Sequence, residues 1–395
     1  MSLGILYEYP DTDEEGIKIT AQDMGIDLKQ IPFRKVSVLI GKGVSSLRSI
    51  GADYSSVLKD VTVVLNRTQS KNRRLYAASV LEAFGKHVVN SQRVEFACFS
   101  KFRTLLDFWK HGVPIPTSVF VPCDSHDQAS TTRIHNEEAI ADLMHRDLGF
   151  KEVVLKPDAG THGKEVRLAR DRTTLIKMID ETEPSIINPI GFVGQEFVDK
   201  WFYDLRIVVA KERGKPAYCY PQALSRGGFT DFRTNTFLGN MVFGAELPSR
   251  IKELSIKAGE AIGNETEAWV LALDAMLDIG KDHAGESEHV RSEIEKLNVP
   301  FEKVRQVKRD NDSKRRNFRT WNGRLEEAYG AYKSTDAYEN VKNIIEESIK
   351  SGQEQVLFHE ANSSPEFWEQ TRIIAGINIA VPLLNCAKSI HAAVG

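Results

Sequence analysis

Apolar residues along this chain fall into two rhythms. Short runs rich in β-branched residues predict strands, and runs with a spacing of three to four predict helices. Leu3–Tyr9 reads as a first strand, a helical stretch follows to about Met24, and Ile26–Phe33 reads as a second strand. Val36–Ile40 and Val61–Leu65 are two more strand runs. Leu75–Phe84 has helical periodicity and stops at Gly85, and His87–Asn90 closes the region. Strands alternating with helices predict a small parallel α/β layer over residues 1–95. No GxGxxG follows the first strand, so the dinucleotide fingerprint is missing.

The next unit, residues 96–190, opens with an amphipathic helix at Phe99–Trp109. Gly112, Pro114 and Pro116 stop it and begin an extended segment. After a helix at Glu138–Leu148, the strands Glu152–Pro157 and Glu165–Leu168 flank a glycine-containing loop, which predicts a hairpin with a tip rich in backbone N–H groups. Residues 191–395 form a third unit. Its strands are expected at Gly194–Val198, Asp204–Val209, Lys215–Tyr220 and Val270–Asp278, with helices around Pro248–Ile262 and at Pro382–Ala393. From about 281 to 350 the texture changes: charge rises and the apolar periodicity weakens. That stretch reads as an insertion, helical over Glu286–Leu297 and about Ala337–Lys350, and its remainder is open to an ordered or a mobile reading.

Composition narrows the class. Of 395 residues, 41% are hydrophobic and 27% charged, as in an ordinary soluble globular protein. No apolar run approaches a membrane span, and the N-terminus lacks the basic-then-apolar pattern of a signal peptide, so a cytoplasmic location without membrane partners is expected. Cys98, Cys123, Cys219 and Cys386 are scattered and make no CxxC pair. A net charge of -3 argues against bulk nucleic-acid binding. A local basic patch is nevertheless present: Lys303, Arg305, Lys308, Arg309, Lys314, Arg315, Arg316 and Arg319 surround only Asp310 and Asp312.

Candidate chemistry is concentrated near the end of the chain. Glu360 and Asn362 are two apart on a strand, so both face one side and Ala361 the other. A carboxylate and an amide oxygen together suit a hard cation such as Mg2+, although polar residues at a strand end can also simply face water. Asp274 lies in an apolar run, where a bare carboxylate is costly; a metal ion or a buried Arg or Lys removes that cost. Gly160–Gly163 could cover phosphates with backbone amides, and Lys156 could reach the same phosphates. Glu196 sits on a strand that could act as a hinge, while Asp204 and Arg206 share one strand face, where an ion-pair ladder is an equal reading. Arg226 and the loop Asp231–Gly239 add cations and an amide.

In this order, these motifs together with Asn90, Ser100-Lys101 and the Gly112–Thr117 segment resemble an ATP-grasp protein, and within that superfamily the RimK/LysX-type amino-acid ligases. The resemblance implies an α/β (α+β) ATP-grasp fold with an N-terminal Rossmann-like pre-ATP-grasp domain and two ATP-binding α+β subdomains. It makes Lys101 and Lys156 the phosphate lysines, with Gly160, Thr161, His162 and Gly163 as the flap. Glu196, Phe197 and Val198 become the adenine-side hinge and Asp204 a nucleotide contact. Arg206, Arg226, Arg233 and Asn235 would face the phosphates and the reacting carboxylate, and Asp274, Glu360 and Asn362 would hold Mg2+ (or Mn2+). Three features depart from the family pattern. Ser100-Lys101 replaces an Asp-Lys pair, His162 stands where Gln is usual, and 86 positions separate Asp274 from Glu360 where relatives have a short turn.

The implied activity is an ATP-dependent carboxylate–amine ligation through an acyl-phosphate, releasing ADP. The implied partners are an amino acid or peptide substrate, an acidic carrier protein or a protein tail, in a homo-oligomer. The competing class is a non-catalytic nucleotide sensor, or a ligase-like protein that docks RNA or an acidic partner through its basic insertion.

Overall fold

A computed structural model describes residues 1–42, 44–49, 52–122, 137–160, 165–181, 191–234 and 239–394. The strands of the first unit are β1 (Ser2–Tyr7), β2 (Asp27–Pro32), β3 (Ser37–Gly41), β4 (Val44–Ser49), β5 (Ala52–Asp53), β6 (Val63–Asn66) and β7 (His87–Val89). Four of them make the expected parallel sheet, ordered β2-β1-β6-β7. Every residue of β6 is buried, as befits a strand covered on both faces. The helix Thr12–Asp23 starts with a capping box between Asp11 and Glu14. The run at Val36–Ile40 does not join this sheet; it pairs antiparallel with β4 in a small separate sheet completed by β5.

The second unit contributes β8 (Ser118–Pro122), β9 (Val153–Pro157), β10 (Arg167–Ala169) and β11 (Gly191–Glu196), in an antiparallel sheet ordered β10-β9-β11-β8. The strand at 191–196 was assigned from sequence to the third unit, yet it pairs with both β8 and β9. Sequence periodicity defines a strand but not its neighbours, so this boundary was not legible. The expected helix at Phe99–Trp109 is Lys101–Lys110, and a further helix, Gln92–Phe99, precedes it across a break at Ser100. The Ser100 hydroxyl accepts from the Arg103 N–H at 3.0 Å and so caps the second helix.

The third unit is the antiparallel sheet β14-β13-β12-β15-β16, built from β12 (Tyr203–Lys211), β13 (Tyr218–Gly227), β14 (Met241–Glu246), β15 (Trp269–Leu277) and β16 (Val356–Asn362). All nine residues of β15 are buried, making it the spine of this sheet. The 86-residue separation noted above closes here: Asp274 lies directly opposite Glu360 and Ala272 opposite Asn362. A bulge follows Asp274, and His359 is the extra residue it accommodates. Asp278, the last residue of the expected strand, lies beyond the strand end and is exposed.

The insertion, whose order the sequence left open, is mostly helical. Helices at Ser287–Arg309, Phe318–Lys333 and Asp336–Gly352 pack onto the third sheet, and the short helix Asn311–Arg316 joins the first two of them. Their apolar positions recur at helical spacing: Val290, Leu297, Phe301 and Val304, then Trp321, Leu325, Tyr329 and Tyr332, then Tyr338, Val341 and Ile345, all buried. The sequence signal was diluted because aromatic residues with polar tips carry this face. The Tyr332 hydroxyl donates to the Val242 carbonyl at 3.1 Å, and the Gly244 N–H donates to the Tyr338 hydroxyl at 3.1 Å. Both partners belong to β14, so the insertion covers the free edge of the sheet.

Two features bind the first unit to the third. The C-terminal helix Ala380–Val394 buries Leu383, Leu384 and Ile390 in one cluster with Leu3, Ile5 and Val63 of the first sheet and Val208 and Val270 of the third. The Asn90 amide, buried, donates to the Val270 and Ser363 carbonyls at 2.7 Å each and accepts from the Val270 N–H at 2.9 Å.

Because Trp321 is fully buried in the same core as β12 and β15, Trp321→Ala is expected to lower global stability by about 3–5 kcal/mol. Urea unfolding followed by circular dichroism checks this; a separate early transition with the remainder unchanged would show that the insertion does not share the core.

Candidate active site

The three units and the insertion enclose one cavity of about 770 Å³. Its floor is a set of charged side chains on neighbouring strands. Register places Asp204 of β12 opposite Arg226 of β13, and Arg206 of β12 opposite Asp274 of β15. Arg226 grips Asp204 through Nε and Nη2 at 2.9 and 2.8 Å. Arg206 grips Asp274 in the same two-pronged way, at 2.9 Å for each contact. Arg226 Nη2 also lies 3.2 Å from Asp274. The result is an alternating ladder of charge across three strands, continued by Glu360 on the fourth. Burial acts to raise the Asp274 carboxyl, but the Arg206 and Arg226 guanidiniums outweigh it and hold the group well below the usual carboxylate range. Burial likewise opposes ionisation of Asp204, and Arg226 and Lys200 overcome it.

Above this floor stand four lysines. Lys101 opens the helix Lys101–Lys110 and donates to the Pro157 and Gly160 carbonyls at 3.1 and 2.6 Å. Asp158 fixes that helix start, accepting from the Ser100 hydroxyl and the Phe102 N–H at 2.9 Å each. An acid is therefore present beside Ser100-Lys101, supplied from beyond β9 rather than from the preceding residue. Lys156 donates to Gln195 Oε1 at 2.5 Å, and Lys200 to the Thr234 hydroxyl at 2.8 Å. Burial pushes Lys101, Lys156 and Lys200 each down to about 8. Lys71 lies 3.7 Å from Glu360. Burial acts to raise Glu360, and Lys101 and Lys71 overcome it and keep it ionised.

The remaining sequence candidates divide. Glu196, Phe197 and Val198 line the cavity. The Glu196 and Phe197 N–H groups already donate to the Thr117 and Glu152 carbonyls, and the Glu196 carboxylate accepts from the Thr117 N–H at 2.7 Å. Among the described residues the Val198 N–H has no protein acceptor. Asp204, for which the resemblance implied a nucleotide contact, gives both oxygens to Arg226. Arg233 lines the cavity while gripping Asp231 at 2.7 and 3.0 Å. Gly160 lies on the cavity wall; Thr161, His162, Gly163 and Asn235 fall outside the described residues.

Other cavity residues escaped the sequence reading. Lys200 and Lys71 carried no motif. His359 enters through the bulge; its Nε2 is buried without a hydrogen-bond partner, and burial together with the Lys156 charge pushes it down to about 4. Arg67, Asp13 and Glu14 form a buried group at the first sheet. Burial raises Asp13 to about 7, against the pull of Arg67. These residues follow β1 and β6, at the point where the sheet order reverses and open α/β sheets generally bind ligands. That signal needs the strand order, which sequence alone did not give.

Residues 124–282 match the family described as the RimK-like ATP-grasp domain. That segment is similar to the RimK-like ATP-grasp domain. An α-aminoadipate–LysW ligase, LysX, of Sulfolobus acidocaldarius is 25% identical over 244 residues, covering 61% of this chain and 79% of that protein. A glutamate–LysW ligase, ArgX, of the same organism is 28% identical over 214 residues, covering 54% of this chain and 68% of the relative. Among solved structures, the ATP-grasp ligase PsnB complexed with a minimal precursor superposes with a TM-score of 0.54 at 13% identity, covering 100% of this chain and 99% of that one. The expected ATP-grasp fold and the ADP-forming, amide-making ligase class are borne out by these likenesses. ATP-grasp proteins as a family bind ATP with a divalent metal. Among the described residues, no helix of this ATP-grasp chain is long and apolar enough to cross a membrane.

The ladder makes a stability prediction. Arg226→Met leaves the buried Asp204 and Asp274 facing each other and is expected to cost about 3–5 kcal/mol. Arg206→Met should cost less, because Arg226 still reaches Asp274. Urea midpoints of the two variants test the order; equal losses below about 1 kcal/mol would show that the ladder does not hold the floor together.

Proposed function

We propose that this ATP-grasp ligase activates a substrate carboxylate with ATP in the 770 Å³ cavity and joins it to the amine of an amino acid or peptide. The observation that carries this reading is the convergence on one cavity of Lys101, Lys156, Arg206, Asp274, Glu360 and Asn362, drawn from both ends of an 86-position gap. In the first step the carboxylate oxygen attacks the γ-phosphorus, the bond to the β-phosphate oxygen breaks, and ADP departs. In the second the amine attacks the acyl carbon, inorganic phosphate leaves with the C–O electron pair, and the amine gives up a proton. Phosphoryl transfer of this kind needs positioning and charge neutralisation more than a covalent nucleophile.

The chain's cations have distinct tasks in this proposal. Lys101 and Lys156 hold the phosphates, Lys101 being aimed by the helix start that Asp158 fixes. Arg206 is locked in orientation by Asp274, while its Nη1 has no protein partner among the described residues and lines the cavity toward the reacting oxygens. The Val198 N–H takes the adenine edge. Both steps concentrate negative charge where these fixed groups already stand.

A divalent cation, Mg2+ (or Mn2+), fits the donor set. Among the described residues no three His, Cys, Asp or Glu side chains group as a metal cluster, so the set reaches three only with the Asn362 amide oxygen. Glu360 has a single distant partner in Lys71, and Asn362 Oδ1 has none among the described residues. Asp274 joins them with its oxygens already shared with Arg206 and Arg226. Two carboxylates and an amide are hard oxygen donors of the kind Mg2+ selects. When bound, the metal would neutralise phosphate charge.

The relatives' named partner, a carrier protein, supports an acidic carrier protein, a protein tail or a peptide as the carboxylate or amine donor here. Buried free thiols at Cys98 and Cys386 fit a reducing, cytoplasmic setting.

Glu360→Ala and Asn362→Ala are expected to abolish amine-dependent ADP release with the circular dichroism spectrum unchanged. Unchanged turnover in both variants would defeat the metal assignment, and nucleotide binding with no turnover on pooled amino acids, peptides and acidic proteins would favour a sensor. The lysines add a pH prediction. In the ligand-free fold Lys101, Lys156 and Lys200 sit near 8, below the 10.5 of an exposed lysine. The unfolded chain therefore binds more protons between about pH 8 and 10.5, and stability of the ligand-free protein should rise with pH across that window. ATP prefers the charged lysines, so its affinity should fall as pH climbs through about 8, with proton uptake on binding near that pH. Calorimetry in buffers of different ionisation enthalpy measures the uptake, and Lys101→Met or Lys156→Met should reduce it.

A further inference from the structure

We infer that the insertion is a docking surface for an acidic polypeptide segment, which it leads into the mouth of the ATP-grasp cavity. The inference rests on the ligase reading, because it assigns a partner to that same site.

The first observation is charge. Residues 303–319 hold eight lysines and arginines against two aspartates, in a chain whose net charge is -3. The excess of six is therefore set against a remainder that is strongly acidic. Of the eight cations, Lys303, Arg309, Arg315, Arg316 and Arg319 are exposed. Arg309 reaches Glu302 at 3.2 Å, whereas among the described residues Lys303, Arg315, Arg316 and Arg319 have no ion-pair or hydrogen-bond partner for their side chains.

The second observation is rigidity. The turn that displays these cations is anchored from within. Asp310 accepts from the Ser313 N–H at 3.0 Å and pairs with Arg324 at 2.8 Å. Trp321, fully buried, donates from Nε1 to the Val307 carbonyl at 2.9 Å, and Lys314 lies over its ring at 5.4 Å. One of the two acids in the segment is thus engaged in holding the turn. The backbone that carries the patch is anchored to the core, so a partner that binds does not have to order that segment first.

The third observation links the patch to the chemistry. Lys308 and Lys314 belong to the same helices and line the cavity. Both converge on one carboxylate, Glu369, at 3.1 and 3.5 Å, and Lys314 also reaches Asp11 at 3.4 Å. Two lysines on one acid at the cavity wall show that this corner accepts a carboxylate. An incoming acidic side chain or chain terminus can take the place that Glu369 holds.

An acidic polypeptide fits better than RNA. Single-stranded nucleic acid is gripped by exposed aromatic rings as well as cations, and the aromatics here face inward: Phe301 and Trp321 are buried, and Phe318 packs against Trp321 at 5.5 Å between ring centroids.

The test uses the full chain with a fluorescein-labelled deca-glutamate peptide as probe and a labelled deca-uridylate of equal charge class as competitor class. Fluorescence anisotropy should show peptide binding that weakens at least about tenfold between low and moderate salt, because the contacts are exposed charges. The triple variant Arg315→Glu, Arg316→Glu, Arg319→Glu takes the segment's excess from six to zero and should weaken peptide binding at least about tenfold, with ATP affinity within twofold of the unaltered chain. If that variant loses its thermal transition, the neutral triple Arg315→Gln, Arg316→Gln, Arg319→Gln replaces it, with a smaller loss expected. Peptide binding unchanged in a folded variant that still binds ATP overturns the inference, as does uridylate bound in preference to peptide. Failure of the unaltered chain to bind ATP counts against the ligase reading instead, and the peptide titration still reports on the patch.

Discussion

The buried charge ladder on the third sheet is the constraint from which the rest of the site follows. Asp204, Arg226 and Asp274 are each less than 5% exposed. A single charge placed there would cost several kcal/mol in lost hydration. Together with Arg206 they form two bidentate pairs and a cross-link, so each carboxylate oxygen has a donor. Such an arrangement tolerates no slip of register. Moving β12 by one residue against β13 or β15 would turn Asp204 and Arg206 to the other face and strand their partners among apolar side chains. The ladder thus specifies the pairing of three strands, and through Asp274 it sets where Glu360 and Asn362 arrive on the fourth.

The lysines pose the opposite problem. Lys101, Lys156 and Lys200 have hydrogen bonds to neutral oxygens but, among the described residues, no ion pair with a carboxylate. Burial has driven all three downward, to about 8, which means the ligand-free fold holds them at a disadvantage. A polyanion entering the cavity relieves that disadvantage, so part of the strain of the empty state returns as affinity. The aspartates of the ladder do not compete for this role, because the arginines already occupy them. Division of labour follows: arginines are tied to acids and make the floor rigid, while lysines are left for a ligand. Arginine's planar fork suits the first task, and the compact ammonium, whose pKa moves readily on burial, suits the second.

Much of this was readable from the residues, and the failures have a common physical origin. The parallel layer of the first unit, the continuous apolar run of β15 and the alternation of Glu360, Ala361 and Asn362 are all local patterns, and each appears where expected. Asp274 in an apolar run signalled a hidden counter-charge, and the structure supplies two. What sequence missed depends on pairing. The neighbours of β11, the sheet β3-β4-β5 and the reversal point beside Arg67 are facts about which strands meet, and no window of sequence holds them. The buried face of the insertion was missed for a different reason. It is carried by Trp321, Tyr329, Tyr332 and Tyr338, whose polar tips lower the apparent hydrophobicity while their rings fill the core.

An insertion of this length between two strands that share a site demands an explanation, and the sheet provides one. Loop-closure entropy rises only with the logarithm of length, so lengthening a connection costs little once its ends are fixed. The ends are fixed here: Leu277 opposite Val356 and Asp274 opposite Glu360 are held by β15, which is buried throughout. The inserted helices then offset their own ordering by covering the edge of β14, where Tyr332 and Tyr338 satisfy backbone groups that would otherwise face solvent or another chain. Having reached that edge, the helices pass the cavity mouth, and Arg305 hydrogen-bonds the Gly239 carbonyl in the loop that carries Arg233. The same packing that makes the insertion stable therefore sets Lys308 and Lys314 in the cavity wall. By position alone, the inserted segment is placed to act on whatever enters the site.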